Sequence, residues 1–203
     1  MGAYKLLALD MDGTLLNSQK RISPRTARVL TDLCAWGTNI ALCTGRNVAE
    51  LGPYMQELGF ARYGVLVSGA LVRDLLTGKN LRVQALTTEQ ALRVIEAGRS
   101  RGAMTHVLAV DDSFVTHRDL ARLEDVQMGI YRPLYEQWAS HVDDVRPCVR
   151  EHPGEVLKVN LYHQTPALRD KSRRQLQDCG LALADSETTS LECTAPSISK
   201  SFG

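Results

Sequence analysis

The chain has 203 residues, a net charge of +1, 44% hydrophobic and 23% charged residues, a balance typical of globular proteins with enough length to bury a core in one large or two small domains. The near-neutral charge and the absence of a long basic block exclude an electrostatically driven partner such as nucleic acid, and no apolar run reaches the length of a membrane span. Five scattered cysteines without a Cys-x-x-Cys pair, and a start that runs straight into a strand, lead us to expect reduced thiols in a cytoplasmic protein.

In chain order, Leu6 to Leu9 is a continuous apolar run that suits a strand buried on both faces. It stops at Asp10 and Asp12, two carboxylates that project to the same side of an extended chain. Gly13 permits a sharp turn and Thr14 adds a hydroxyl. Ser23-Pro24 supplies an N-cap and a first-turn proline for a helix that Gly37 ends. Ile40 to Cys43 is a second strand, ending at Thr44-Gly45-Arg46, so a parallel βαβ unit brings Thr44 to the same sheet edge as Asp10. Asn47 to Gly59 carries a helical pattern (Val48, Leu51, Met55 and Leu58 inward) that Pro53 should kink or split. Tyr63 to Val67 is a third strand closing on Ser68-Gly69-Ala70, and Leu71 to Val83 reads as a hairpin around Thr77-Gly78.

The pattern then becomes helix (Thr87 to Arg101), two strands joined at Asp111-Asp112, and a helical stretch from Arg118 to Met128. After a poorly patterned run come a strand at Leu157 to Tyr162, a helix to Cys179, and short strands at Leu181 to Ala184 and Ser190 to Thr194. This predicts an α/β fold: a Rossmann-like parallel-sheet core from 1–83 and 191–203, interrupted by an inserted α+β domain at 84–190. The five histidines lack ligand spacing and read as surface or structural residues.

The acid pair is the centre of the expected chemistry. A carboxylate can attack a phosphoryl group to give an aspartyl phosphate, and a second carboxylate can protonate the leaving oxygen and later activate water. A hard cation such as Mg²⁺ suits two acids at one strand end. The remaining need is positioning and charge neutralisation, from hydroxyls, backbone N–H groups and a lysine.

Asp10-Met-Asp12-Gly13-Thr14, Cys43-Thr44-Gly45-Arg46 and Pro196-Ser-Ile-Ser-Lys200 together resemble the first three motifs of the haloacid dehalogenase (HAD) superfamily, in its Cof-type branch with an α/β cap. Residues 11–43 leave no room for an inserted domain, whereas 45–199 hold the third strand and a large one, as in that branch. The resemblance implies Asp10 as nucleophile, Asp12 as general acid/base with its carbonyl on Mg²⁺, Thr44 on the phosphoryl group and Lys200 neutralising charge. It implies Gly13, Thr14, Gly45, Arg46, Ser68 and Gly69 as substrate-binding positions and Asp10 and Asp12 as metal ligands. Ser68 stands where relatives often have asparagine. The implied activity is a Mg²⁺-dependent phosphatase of small phosphorylated metabolites, such as sugar phosphates. Alternatives are a phosphomutase and an inactive truncated product that only binds phosphorylated ligands or a partner.

The family's acidic fourth motif, and the strands that would flank Leu6 to Leu9, would follow Gly203. The chain as it stands is therefore expected to bind Mg²⁺ weakly and to turn over poorly. Leu6 to Leu9 is expected on an open edge that favours self-association or marginal stability, with Ser197 to Gly203 poorly held.

Overall fold

The computed structural model describes residues 4–201 and 203. Residues 1–3 and 202, which the sequence reading places in the core domain, lie outside the described residues. The chain divides into two compact units: Met1–Arg46, Leu51–Val83 and Ser199–Gly203 in the first, Asn47–Glu50 and Gln84–Ile198 in the second.

The first unit is an α/β sheet in the order β1 (Leu6–Asp10), β2 (Asn39–Cys43), β3 (Ala61–Leu66), β4 (Leu71–Asp74), β5 (Asn80–Val83). The first three strands run parallel and the last two turn back antiparallel. Between β1 and β2 lies helix α1 (Pro24–Ala35), capped as expected: Ser23 Oγ accepts the Thr26 N–H at 3.1 Å and Pro24 fills the first turn. Gly37, at φ +91°, lets the chain leave the helix and enter β2. The β1–β2 register pairs Asp10 with Cys43, so the acid and Thr44 arrive at one sheet edge.

Two expectations need correction. Among the described residues β1 pairs with β2 alone, and Leu6 is 55% exposed. The run is thus an edge strand rather than one buried on both faces. An apolar run reads the same at the edge of a sheet as at its centre, and the expected open edge is what the unit shows. The stretch after Asn47, expected as a helix kinked or split at Pro53, forms a 3₁₀ turn, Ala49–Tyr54, with Pro53 inside it. Pro53 has no N–H to continue an α-helix; of the stretch's apolar residues Leu51, Tyr54 and Leu58 are buried, while Met55 is exposed.

The second unit opens with α2 (Thr88–Arg99), where Thr87 and Gln90 form a reciprocal capping box. There follow β6 (Met104–Ala109), β7 (Ser113–Thr116), α3 (His117–Ala121), α4 (Arg132–Trp138), β8 (Ser140–Val142), α5 (Val145–Glu151), β9 (Val156–Tyr162), α6 (Pro166–Leu176), β10 (Ala182–Ala184) and β11 (Ser190–Thr194). Its six strands are ordered β10-β11-β9-β6-β7-β8. The row Val107, Val159, Cys193 lies in the apolar core with Ala91, Val94 and Ile95 of α2. The next row, His106, Asn160, Glu192, therefore faces the other way and is polar. Lys158 is 2% exposed there, 3.3 Å from Glu192.

This sheet also moves a domain boundary. The sequence reading assigned 191–203 to the first unit, but β11 pairs with both β9 and β10, so the chain returns only at Ser199. No helix among the described residues is long and apolar enough to cross a membrane.

Candidate active site

The first motif is a tight loop hung from the end of β1. Met11 is fully buried, and its carbonyl accepts the N–H groups of Thr14 (3.3 Å) and Leu16 (2.8 Å), while Leu15 N–H donates to the Asp10 carbonyl at 3.1 Å. Leu15 and Leu16 are buried below. Alternation about Met11 leaves Asp10 and Asp12 projecting together, and Gly13 at φ +79° makes the turn.

The second motif is fixed by β3. Thr44 N–H donates to the Val65 carbonyl (2.9 Å), and the carbonyls of Thr44 and Arg46 accept the N–H groups of Ser68 (3.0 Å) and Val67 (2.9 Å). Val67, Ser68 and Gly69 follow one another at φ +50°, +59° and +105°. Positive φ in a β-branched residue is costly, so the surroundings hold this bend open. Thr44 is 2% exposed, and its Oγ1 accepts the Arg46 N–H at 3.2 Å. The hydroxyl hydrogen remains to donate outward.

Each acid has its cations. Lys200 Nζ donates to Asp10 Oδ1. Arg46 spans Asp12 with Nε on Oδ2 (3.0 Å) and Nη2 on Oδ1 (3.1 Å), its guanidinium 5.4 Å from the Tyr54 ring centre. Lys20 adds a bond to Asp12 Oδ1 at 2.8 Å. Partial burial alone would raise the Asp12 pKa, but the hydrogen bonds and charges of Arg46 and Lys20 outweigh it and bring it down to about 2. Burial pushes the neighbouring Cys43 thiol up, against the pull of Lys200 and with a smaller push from Asp10.

Thus Asp10, Asp12, Arg46 and Lys200 are joined in two ion pairs, Thr44 is buried one residue past the Asp10–Cys43 pairing, and Gly13 and Thr14 are exposed. Sequence reasoning missed Lys20. Its signal lay in Asn17, whose side chain accepts the N–H groups of Gln19 and Arg21 in a polar turn that swings Lys20, at φ +57°, back toward Asp12. Arg46, expected toward substrate, is here the partner of Asp12. Among the described residues no group of three or more His, Cys, Asp or Glu side chains converges on a metal-sized space.

Gly69 shows how Lys200 is placed. A Cβ there would collide with the Ser199 carbonyl, and the positive φ is unfavourable to any other residue. Gly69→Ala should destabilise the first unit by about 1–3 kcal/mol. The denaturation midpoint reads this, and an unchanged midpoint would mean that the Gly69 bend is not under constraint.

A family model described as haloacid dehalogenase-like hydrolase matches residues 7–203. An HMP-PP phosphatase of Serratia proteamaculans is 33% identical over 113 residues, covering 56% of this chain and 40% of its own. Among solved structures, a haloacid dehalogenase-like hydrolase from B. subtilis superposes with TM-score 0.82 at 17% identity, over 98% of this chain and 75% of that one. The HAD subclass IIB sugar phosphatase BT4131 superposes with TM-score 0.77 at 19% identity, over 98% and 73%. The chain spans about half the length of the curated relatives it matches. With the family match running through all three motif regions, the chain belongs to the haloacid dehalogenase-like hydrolases.

Proposed function

We propose that this chain carries the phosphoryl-transfer centre of a phosphatase acting on small phosphorylated metabolites, sugar phosphates among them. The observation that carries the reading is the pair of neighbouring acids at the end of a parallel strand, Asp10 paired with Lys200 and Asp12 with Arg46 and Lys20. In the first half-reaction Asp10 attacks phosphorus, the Asp10 O–P bond forms, and the ester P–O bond breaks with the leaving oxygen taking a proton from Asp12. In the second, water attacks the phosphorus of the aspartyl phosphate while Asp12 accepts its proton, the Asp10 O–P bond breaks, and inorganic phosphate leaves with the Asp10 carboxylate restored. Asp12 in its present clasp is ionised, the state the second half needs. An incoming phosphate competes for Arg46 and Lys20, and a carboxyl relieved of both regains its affinity for the proton the first half needs. Lys200 and the Thr44 hydroxyl neutralise and orient the phosphoryl oxygens.

We further propose Mg²⁺ as cofactor. The Asp10 carboxylate and the Asp12 carbonyl are hard oxygen donors of the kind this ion takes together with water and substrate phosphate. When bound it would neutralise the transferring group. The free state of all five cysteines supports a reducing, cytoplasmic setting. The names of relatives support the substrate class: one acts on HMP-PP, another is a sugar phosphatase. Release of inorganic phosphate from p-nitrophenyl phosphate and a panel of sugar phosphates, with and without Mg²⁺, tests the reading. No Mg²⁺-dependent release from any of them would overturn it.

We also propose that the chain self-associates through β1. Leu6 on β1 and Tyr4 just before it are 55% and 79% exposed, and among the described residues β1 pairs on one side alone, which offers backbone groups and apolar surface to a second copy. Light scattering should show mass growing with concentration, and Leu6→Lys should weaken association about a hundredfold by charge repulsion and lost apolar contact. A monodisperse monomer across the range would contradict this.

A further inference from the structure

Within the first unit, Arg46 is held by more than its hydrogen bonds. Its side chain is 9% exposed, and Nε and Nη2, on one edge of the guanidinium, both donate to Asp12. The guanidinium carbon lies over the ring of Tyr54, 5.4 Å from its centre. Tyr54 belongs to the same unit and is itself only 9% exposed, so the contact is largely shielded from water. An aromatic face carries the negative part of the ring quadrupole and attracts a cation. It takes no hydrogen bond in doing so, and the ring therefore does not compete with Asp12 for the Arg46 donors. A carboxylate in its place would. Tyr54 is fixed in turn by its backbone, whose carbonyl accepts the N–H groups of Glu57 (2.8 Å) and Leu58 (3.0 Å). The Leu58 carbonyl accepts the N–H of Ala61 (2.7 Å), the first residue of β3, and Val67, just past the end of β3, donates to the Arg46 carbonyl. One strand thus anchors both partners.

We propose that Tyr54 is a positioning residue for the candidate active site, its ring face holding the Arg46 guanidinium in the two-bonded clasp of Asp12. A long arginine side chain loses rotamer freedom when it is fixed in one geometry. The ring offsets that cost, so Arg46 leaves Asp12 less often than its two hydrogen bonds alone would allow. The inference rests on the reading of Asp12 as an active-site group, but its test needs no turnover.

In uniformly ¹⁵N-labelled protein, the Arg46 Nε–Hε signal is identified by its loss in Arg46→Lys. Exchange of Hε with water requires the bond to Asp12 to open, so its rate reports the clasp. Tyr54→Leu should speed that exchange about tenfold, the scale of a desolvated cation–π contact, whereas Tyr54→Phe keeps the ring and should leave it in place. Mono-, tri- and pentafluorinated phenylalanine at position 54 withdraw charge from the ring face with little change of shape. Exchange should quicken with each step of that series and reach the leucine value with the last. The Thr44 amide, bonded to the Val65 carbonyl, should stay protected throughout and reports that the first unit is folded. Equal exchange across the fluorinated series in folded protein would overturn the proposal, because the ring would then act by shape alone. So would exchange in Tyr54→Phe as fast as in Tyr54→Leu. Failure of the phosphatase assay leaves this result standing, so the two readings fail separately.

Discussion

Asp10→Asn should lower Mg²⁺-dependent phosphatase turnover by about four orders of magnitude or more, the scale seen when a nucleophile is removed from a machinery that otherwise stays intact. The amide matches the carboxylate in shape, and its oxygen can still accept from Lys200, so little of the surrounding structure should change. What disappears is the anionic oxygen that makes the bond to phosphorus. Asp12→Asn should be damaging to a comparable degree for a different reason. The amide can neither give a proton to the leaving oxygen nor take one from water, and it also loses the charge that Arg46 and Lys20 grip. The two variants are separable by a single-turnover trap. The Asp10 variant should form no covalent phosphoenzyme, whereas the Asp12 variant should accumulate one with substrates whose leaving group needs no proton. Steady-state rates with p-nitrophenyl phosphate and ³¹P spectra of quenched enzyme provide both readouts. Substantial turnover in the Asp10 variant would place the nucleophile elsewhere.

The parts of the site legible in the sequence are those set by local rules. An apolar run followed by Asp-x-Asp-Gly fixes a strand end with two acids on one side, and the serine-proline cap with Gly37 fixes the crossover that makes β2 parallel to β1. Lys200 was legible only through its resemblance to a known motif, since its pairing with Asp10 spans nearly the whole chain. Arg46 was legible as a residue but not as the partner of Asp12. That pairing depends on the β1–β2 register and on the bend at Val67 to Gly69, whose positive φ no periodicity announces in a valine. The stretch after Asn47 misled because apolar spacing at 48, 51, 55 and 58 fits a helix. Pro53, expected to break that pattern, sits inside the 3₁₀ turn that forms there. The boundary at β11 failed for a general reason: a short alternating strand carries no mark of the sheet it will join, and pairing with β9 is a tertiary choice.

His106 shows the same limit, and it carries the second large effect. It lacks ligand spacing, and the sequence allowed only surface or structural roles. In the structure it is 1% exposed in the second unit, with Nε2 2.5 Å from Ser113 Oγ and its ring edge-on to Tyr135. Nδ1 has no partner. Burial, with a smaller push from Lys158, lowers its pKa to about 3. Glu50 lies 3.9 Å from Nε2 and would ease protonation, while Glu192 offsets part of the Lys158 charge, so the full cost is an upper bound. The folded pKa lies below the unfolded value near 6.5, so the unfolded chain takes the proton first. The stability this residue contributes is intact above pH 6.5, falls as pH drops through the window, and is fully lost near pH 3. The loss should reach at most about 5 kcal/mol, at 1.36 kcal/mol per unit of pKa difference. Carboxylates titrate over the lower part of that window, so the comparison has to be made against a variant. His106→Gln can still bond Ser113 but has nothing to titrate, and its unfolding free energy should fall less steeply between pH 6.5 and 4.5 than that of the parent. Denaturant titrations at half-unit steps give the difference directly. Equal slopes, or an imidazole resonance of His106 that titrates near 6.5 in the folded protein, would show that the ring takes its proton without opening the second unit.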